Sequence, residues 1–245
     1  MSAKKVPDSS PSSPFDTEDL RKQLTAFLDT PFPNSTPSEQ VPLKIGAYKW
    51  GVYAFFDYDD EPIYVGQTKE KLSTRIRRHL TNQRTDAVAM SVLDPFEVYK
   101  IKVWPLPQFQ ATSAKDAIAK THLNALERKI YDQVVTASRY GAVLNEKDPP
   151  VVLDIEIATP ASYEAAIVSD EIYKLRSHPD SRLARRASVI ARLAQVIAER
   201  KVQGGLRRVL ATQAKRLHSL AQIRYEALGG AASVEKKADG EDGDD

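Results

Sequence analysis

From Trp50 to Phe56 and from Pro62 to Gln67 the chain is dense in β-branched and aromatic residues, and Asp57-Tyr58-Asp59-Asp60 between the two runs is turn material. This pattern predicts a β-hairpin. With the turn centred on Tyr58 and Asp59, Tyr53 would face Tyr64 across the strands, Cβ atoms about 5 Å apart. Leu72, Ile76 and Leu80 then recur at four-residue spacing, the buried stripe of a helix starting at Ser73 or Thr74. Alternation over Phe96 to Trp104 reads as a third strand. A longer helix is expected from Ala114 to Ala137, where Leu123, Leu126, Ile130 and Val134 share one face. A short helix fits Thr17 to Leu28, ahead of the Pro31 to Pro42 loop. After Asp148-Pro149-Pro150 the pattern turns helical, with Thr159-Pro160 as a start signal and breaks near Pro179 and Gly204-Gly205.

Polar residues that interrupt this pattern carry the candidate chemistry. Two tyrosines on one face of a hairpin are either an aromatic pair that stabilises the sheet or two phenols sharing a pocket. Glycine in each tripeptide, Gly51-Val52-Tyr53 and Tyr64-Val65-Gly66, lets another backbone or a substrate approach closely. On the first long helix Arg75, His79 and Asn82 fall in a narrow sector beside the apolar face, where side chains reach a pocket margin. A guanidinium there can grip a phosphate with two parallel hydrogen bonds. His79 is a site residue or a core-edge imidazole bonded to a carbonyl. Arg77 and Arg78 point elsewhere, toward phosphate or into a solvated basic face. Glu127 lies inside the apolar face of the second helix, and an unpaired charge buried there costs several kcal/mol. It therefore meets a metal, a donor or a cation, as in a structural salt bridge with Arg75 or a lysine, or else holds a proton.

Charge sharpens the picture by its distribution. Over 245 residues the formal net charge is only +2. Yet Lys69, Lys71, Arg75, Arg77, Arg78 and Arg84 cluster against a single acid, Glu70, a patch suited to drawing in a phosphate backbone. Between Glu171 and Leu228 thirteen Lys/Arg stand against four Asp/Glu, so the helical extension either holds DNA, forms a dimer or is a solvated hairpin packed on the core. Glu235 to Asp245 reads as an acidic disordered tail. The absence of cysteine excludes disulfides and Cys-type zinc fingers, and four scattered histidines give no metal-ligand spacing. With no stretch resembling a membrane span or secretory signal, a cytoplasmic protein is expected.

The two tripeptides, the helix Arg75-Ile76-Arg77-Arg78-His79, the later Leu126-Glu127-Arg128 and the late Leu144-Asn145-Glu146 together resemble the GIY-YIG nuclease superfamily. The resemblance covers residues 45 to 150. It implies an α+β fold: a small GIY-YIG-like domain with a three-stranded mixed sheet flanked by helices, plus a C-terminal helical extension. The expected organisation is a mostly disordered arm with a short helix at 1–40, the nuclease domain at 41–150, a basic helical extension at 151–230 and the acidic tail at 231–245. The implied catalytic set is Tyr53, Tyr64, Arg75, His79, Glu127 and Asn145. Tyr53, helped by His79, would deprotonate or orient water once nearby cations had lowered its pKa. Arg75 would clamp the phosphorane oxygens, and Glu127 would hold one Mg²⁺ or Mn²⁺. Lys69, Lys71, Arg77, Arg78 and Arg84 are the expected DNA contacts. A stand-alone chain with additions on both sides of the domain is most similar to the type II restriction endonucleases of this superfamily. These act as homodimers on short palindromes of double-stranded DNA, and the resemblance implies a cognate DNA methyltransferase acting on the same site. The alternatives are a repair, homing or structure-specific endonuclease, or a DNA-binding module without activity.

Overall fold

The computed structural model describes residues 13, 15–33, 42–81, 92–152, 157–201 and 204–230. The sequence expectations on residues 1–12, on Asn82 and Arg84, and on the acidic tail lie outside the described residues. Among the described residues four strands form one sheet in the order β2-β1-β3-β4: β1 (Gly51–Phe56), β2 (Pro62–Thr68), β3 (Lys100–Pro105) and β4 (Tyr163–Ala166). Every neighbouring pair is antiparallel. The expected three-stranded mixed sheet is thus corrected to four antiparallel strands. The fourth comes from a stretch read as helical: residues 157–162 are irregular, and Thr159-Pro160 leads into β4 instead of starting a helix. Tyr163-Glu164-Ala165-Ala166 is too short for its alternation to stand out, and its pairing with β3 decides its conformation.

Among the described residues six helices flank this sheet: α1 (Thr17–Asp29), α2 (Leu72–Leu80), α3 (Ala117–Ala137), α4 (Asp170–Arg176), α5 (Pro179–Glu199) and α6 (Gly204–Ala227). Helix starts follow local chemistry. Asp16 caps α1 by accepting from Glu18 N, Asp116 caps α3 by accepting from Ala119 N, and Pro179 occupies the first turn of α5. Pro179 and Gly204 therefore begin helices at the places where breaks were expected. One face of the sheet packs Tyr53, Phe55, Ile101 and Val103 against Leu20 and Leu24 of α1, Ile76 of α2 and Leu193, Leu206 and Val209 of the α5–α6 hairpin. The other face packs Val52, Ala54, Val65 and Trp104 against Leu123, Leu126, Ile130 and Val134 of α3. The result is three layers, helix–sheet–helix. Among the described residues no helix is long and apolar enough to cross a membrane.

The acidic turn does more than reverse the chain. Asp57 is 1% exposed; its Oδ1 accepts from Asp59 N and Glu61 N, closing the turn, while its Oδ2 accepts from Arg182, Arg186 and Arg216 at 3.2, 2.9 and 2.6 Å. Arg182 also meets Asp59, and Arg186 meets Glu97. The hairpin of helices is thereby bolted to the hairpin of strands. Of the thirteen cations between Glu171 and Leu228, Arg176, Arg182, Arg185, Arg186, Arg208, Arg216 and Arg224 are engaged within the fold. Much of the basic character of this segment is structural.

Candidate active site

The turn sets the register of the tyrosines. Because β1 pairs Phe56 with Pro62 around a five-residue turn, with an irregularity after Phe55, Tyr53 stands opposite Gly66 and Phe55 opposite Tyr64. The expected direct Tyr53–Tyr64 pair is therefore displaced by two residues, a shift that keeps both on one face. Their ring centroids lie 6.3 Å apart on the diagonal, and the Tyr64 ring stacks on Phe55. The room left by Gly66 is taken by this chain's own ring: a Cβ there would sit 2.6 Å from the Tyr53 hydroxyl. Gly51 serves a backbone approach, since a Cβ would fall 2.9 Å from the Trp104 carbonyl oxygen on β3.

Helix α2 starts at Leu72, one residue before the expected Ser73 or Thr74, and buries Leu72, Ile76 and Leu80 as its spacing predicts. This turns Arg75 and His79 toward the tyrosines. Arg75 Nε donates to the Tyr53 hydroxyl at 3.3 Å, and the His79 ring lies 5.1 Å from Tyr64 and 5.9 Å from Tyr53. Tyr53 is fully buried, and its pKa is pushed well above the usual phenol value by burial first and by Tyr64 next, with Arg75 opposing. The expectation that neighbouring cations lower it is overturned. At neutral pH Tyr53 is a protonated phenol.

Glu127 approaches from the opposite layer. It is 8% exposed on the apolar face of α3, and burial raises its pKa to about 7 against the pull of Arg75 and of a hydrogen bond from Gln67. The site thus straddles the edge strand β2, with Arg75, His79 and Tyr64 on one side and Glu127 on the other. Asn145 holds that edge: its Oδ1 accepts from Val65 N at 3.0 Å and its Nδ2 donates to Val65 O at 2.7 Å, while Leu144 N donates to Ile63 O. It satisfies the outward backbone groups of an edge strand as a further strand would.

Two cavities are lined by residues of the site. One, about 530 Å³, is lined by Tyr64, His79, Glu127, Asn145, Glu146, Lys147 and Asp148 among others. The other, about 680 Å³, is lined by Gln67, Thr68, Lys69, Glu70, Arg75, Ala114, Lys120, Leu123 and Asn124. Of the expected DNA contacts, Lys69 and Lys71 are exposed in the β2–α2 loop. Arg77 donates to Thr25 Oγ1 of α1, and Arg78 is held by Glu70. Gln67, Lys120 and Asn124 escaped the sequence reading. Gln67 Nε2 donates to Asn124 Oδ1 at 2.8 Å, and the one available signal was helical: Lys120 and Asn124 precede Glu127 by seven and three residues on α3.

Residues 49–134 match the family model of the GIY-YIG catalytic domain. The match spans β1 to most of α3, so Tyr53, Tyr64, Arg75, His79 and Glu127 fall inside it, and it supports the superfamily and a nuclease for this segment. Searches of curated proteins and of solved structures gave no match.

Proposed function

We propose that the protein is a divalent-metal-dependent endonuclease that hydrolyses phosphodiester bonds in double-stranded DNA, specifically a type II restriction endonuclease acting as a homodimer on a short palindrome. The observation that carries the hydrolase is Glu127: a buried carboxylate, raised to about 7, bordering a cavity beside Tyr64 and His79 and within the field of Arg75. The packing of α1 and the α5–α6 hairpin onto the same sheet supports the restriction assignment, because elements that could read bases are built around the matched segment.

The donor set fits a hydrated Mg²⁺-type ion. Such an ion keeps several waters and takes one or two carboxylates plus substrate oxygens. Glu127 supplies the carboxylate, and Gln67 Oε1 beside it is a buried acceptor with no partner among the described residues, suited to a metal-bound water. Among the described residues no group of three or more acidic, His or Cys side chains could cage a metal. When bound, the ion would polarise the phosphate and neutralise charge on the departing oxygen.

The remaining work falls to the side chains. Tyr53 keeps its proton and accepts from Arg75 Nε, which aims the terminal nitrogens of that guanidinium toward the basic cleft where phosphate oxygens would lie. Tyr64 orients the attacking water, and the His79 imidazole next to it takes the water's proton as general base. Asn145 fixes the edge strand that carries Tyr64.

With Mg²⁺ or Mn²⁺ the protein should turn unmethylated plasmid into discrete, reproducible bands, and sequencing the ends would give two-fold related cuts. Glu127→Gln should abolish cutting while leaving DNA binding in place. Intact plasmid across metals and pH would remove the nuclease; a smear, or cutting confined to branched DNA, would remove only the restriction assignment.

A further inference from the structure

The two cavities beside the site differ in the charge they leave free. Around the first, Lys147 stands against Glu127, Glu146 and Asp148, and Asp148 is engaged by Arg208 at 2.9 Å. Around the second, Lys69, Arg75 and Lys120 face one acid, Glu70, and that acid is engaged by Arg78 at 2.7 Å. Lys69 and Lys120 are left unpaired among the described residues. Arg75 belongs to the basic cleft, whereas the carboxylate that would hold metal belongs to the first cavity.

We infer that the cleft between the β2–α2 loop and the first half of α3 seats the phosphates of the cleaved DNA strand next to the scissile bond, with Lys120 and Lys69 as phosphate contacts and Asn124 as a hydrogen-bonding wall. The inference rests on the nuclease reading and adds a strand path to it. Lys120 precedes Glu127 by seven residues, about 10 Å along a helix at 1.5 Å per residue, a span of only a few phosphates. The path therefore extends a few nucleotides to one side of the cut. The cavity on the other side, with Glu127 at its border, suits a metal and water. The contacts are to phosphate and carry no sequence information, so this cleft sets position and polarity while bases are read elsewhere.

The test measures binding of duplex DNA in EDTA, where cutting is absent, across a salt series for wild type, Lys120→Gln, Lys69→Gln and Lys174→Gln. Lys174, exposed on α4, controls for the loss of one positive charge. Loss of a phosphate contact should lower the slope of log affinity against log salt by about one, so that the deficit of the Lys120 and Lys69 variants shrinks roughly fourfold between about 50 and 200 mM salt. The deficit should be the same for every DNA sequence. Wild-type slope and affinity in both variants, with circular dichroism confirming the fold, would overturn the cleft as a phosphate seat, as would an equal loss in Lys174→Gln. Plasmid cutting by the same wild-type protein reports separately on the nuclease reading, so a failed strand path and a failed nuclease give different patterns.

Discussion

Asp57 and Glu127 are both carboxylates nearly shut off from water, at 1% and 8% exposure, and the fold treats them oppositely. Asp57 is surrounded by three guanidiniums and two backbone N–H groups. Glu127 has one amide and the field of a single arginine, and its burial outweighs both. Asp57 is sealed between hairpins, whereas Glu127 borders a cavity. The first arrangement consumes charge to join two parts of the molecule; the second leaves charge under-compensated where a metal and a phosphate could complete it. A perturbed pKa alone does not separate them, since Glu97 in the arginine knot is also raised, by burial that outweighs Arg186 and Arg182. What separates them is access.

The comparison breaks first at Asp57. Replacing it by Asn keeps the turn's acceptor but leaves Arg182, Arg186 and Arg216 facing a neutral group in the interior. Removing one partner of a buried ion pair costs about 3–5 kcal/mol, and this loss should appear in urea unfolding followed by circular dichroism. The folded fraction should still cut DNA with the wild-type metal requirement. A loss under about 1 kcal/mol would mean the arginines find other partners and the knot is not a fastener.

Arg75→Lys probes the other member. An ammonium cannot both donate to Tyr53 from the Nε position and present a planar fork to phosphate, so single-turnover cleavage should fall about 10²–10³-fold. Stability should move by less than about 1.5 kcal/mol, because one hydrogen bond at a half-buried position is at stake. Cutting at the wild-type rate would make Arg75 a support for Tyr53 and nothing more.

Much of the candidate site was legible because it is local. Gly51, Tyr53, Tyr64 and Gly66 announce a hairpin, the Leu72-Ile76-Leu80 spacing fixes which way Arg75 and His79 point, and Glu127 stands out as a charge in an apolar helical face. What was missed depends on contacts far apart in the chain. The cross-strand register needed the irregularity after Phe55, β4 needed β3 to pair with, and the arginines of α5 and α6 needed an acidic turn more than a hundred residues upstream. A basic helix looks the same in sequence whether its arginines meet DNA or a buried aspartate. The Tyr53 phenol was misjudged for a related reason: its neighbouring cation was visible, but its depth of burial was not.

Glu127→Gln in metal-free protein sharpens the contrast through pH. Burial lifts the folded-state pKa from 4.5 to about 7, so the folded protein holds a proton that the unfolded chain has released between those values. The stabilising preference for the protonated form is fully present below about 4.5 and is lost as pH rises through about 7. The neutral Gln escapes that loss. The variant should therefore be more stable than wild type at pH 8, on the order of 1–3 kcal/mol, with the gain fading toward pH 4.5 in unfolding measured with EDTA. A difference that does not change with pH would mean the carboxylate is better compensated than its partners suggest.

The smallest effect belongs to a saturated pair inside the basic cluster. Arg78 presents Nη1 and Nη2 to the two oxygens of Glu70, at 2.7 and 2.9 Å, with both side chains more than a third exposed. Exposed pairs of this kind contribute about 0–1 kcal/mol. Replacing Arg78 alone would free the Glu70 charge beside the cleft and weaken DNA binding through its field, which would imitate a lost phosphate contact. Replacing both, as Glu70→Gln with Arg78→Gln, removes a neutral unit. Stability should then change by less than about 1 kcal/mol, and the salt dependence of DNA binding should stay at its wild-type slope, unlike that of Lys120→Gln. A slope lowered by about one would show that Arg78 leaves Glu70 for a phosphate when DNA is bound, and the line between occupied and available charge would have to be redrawn along α2.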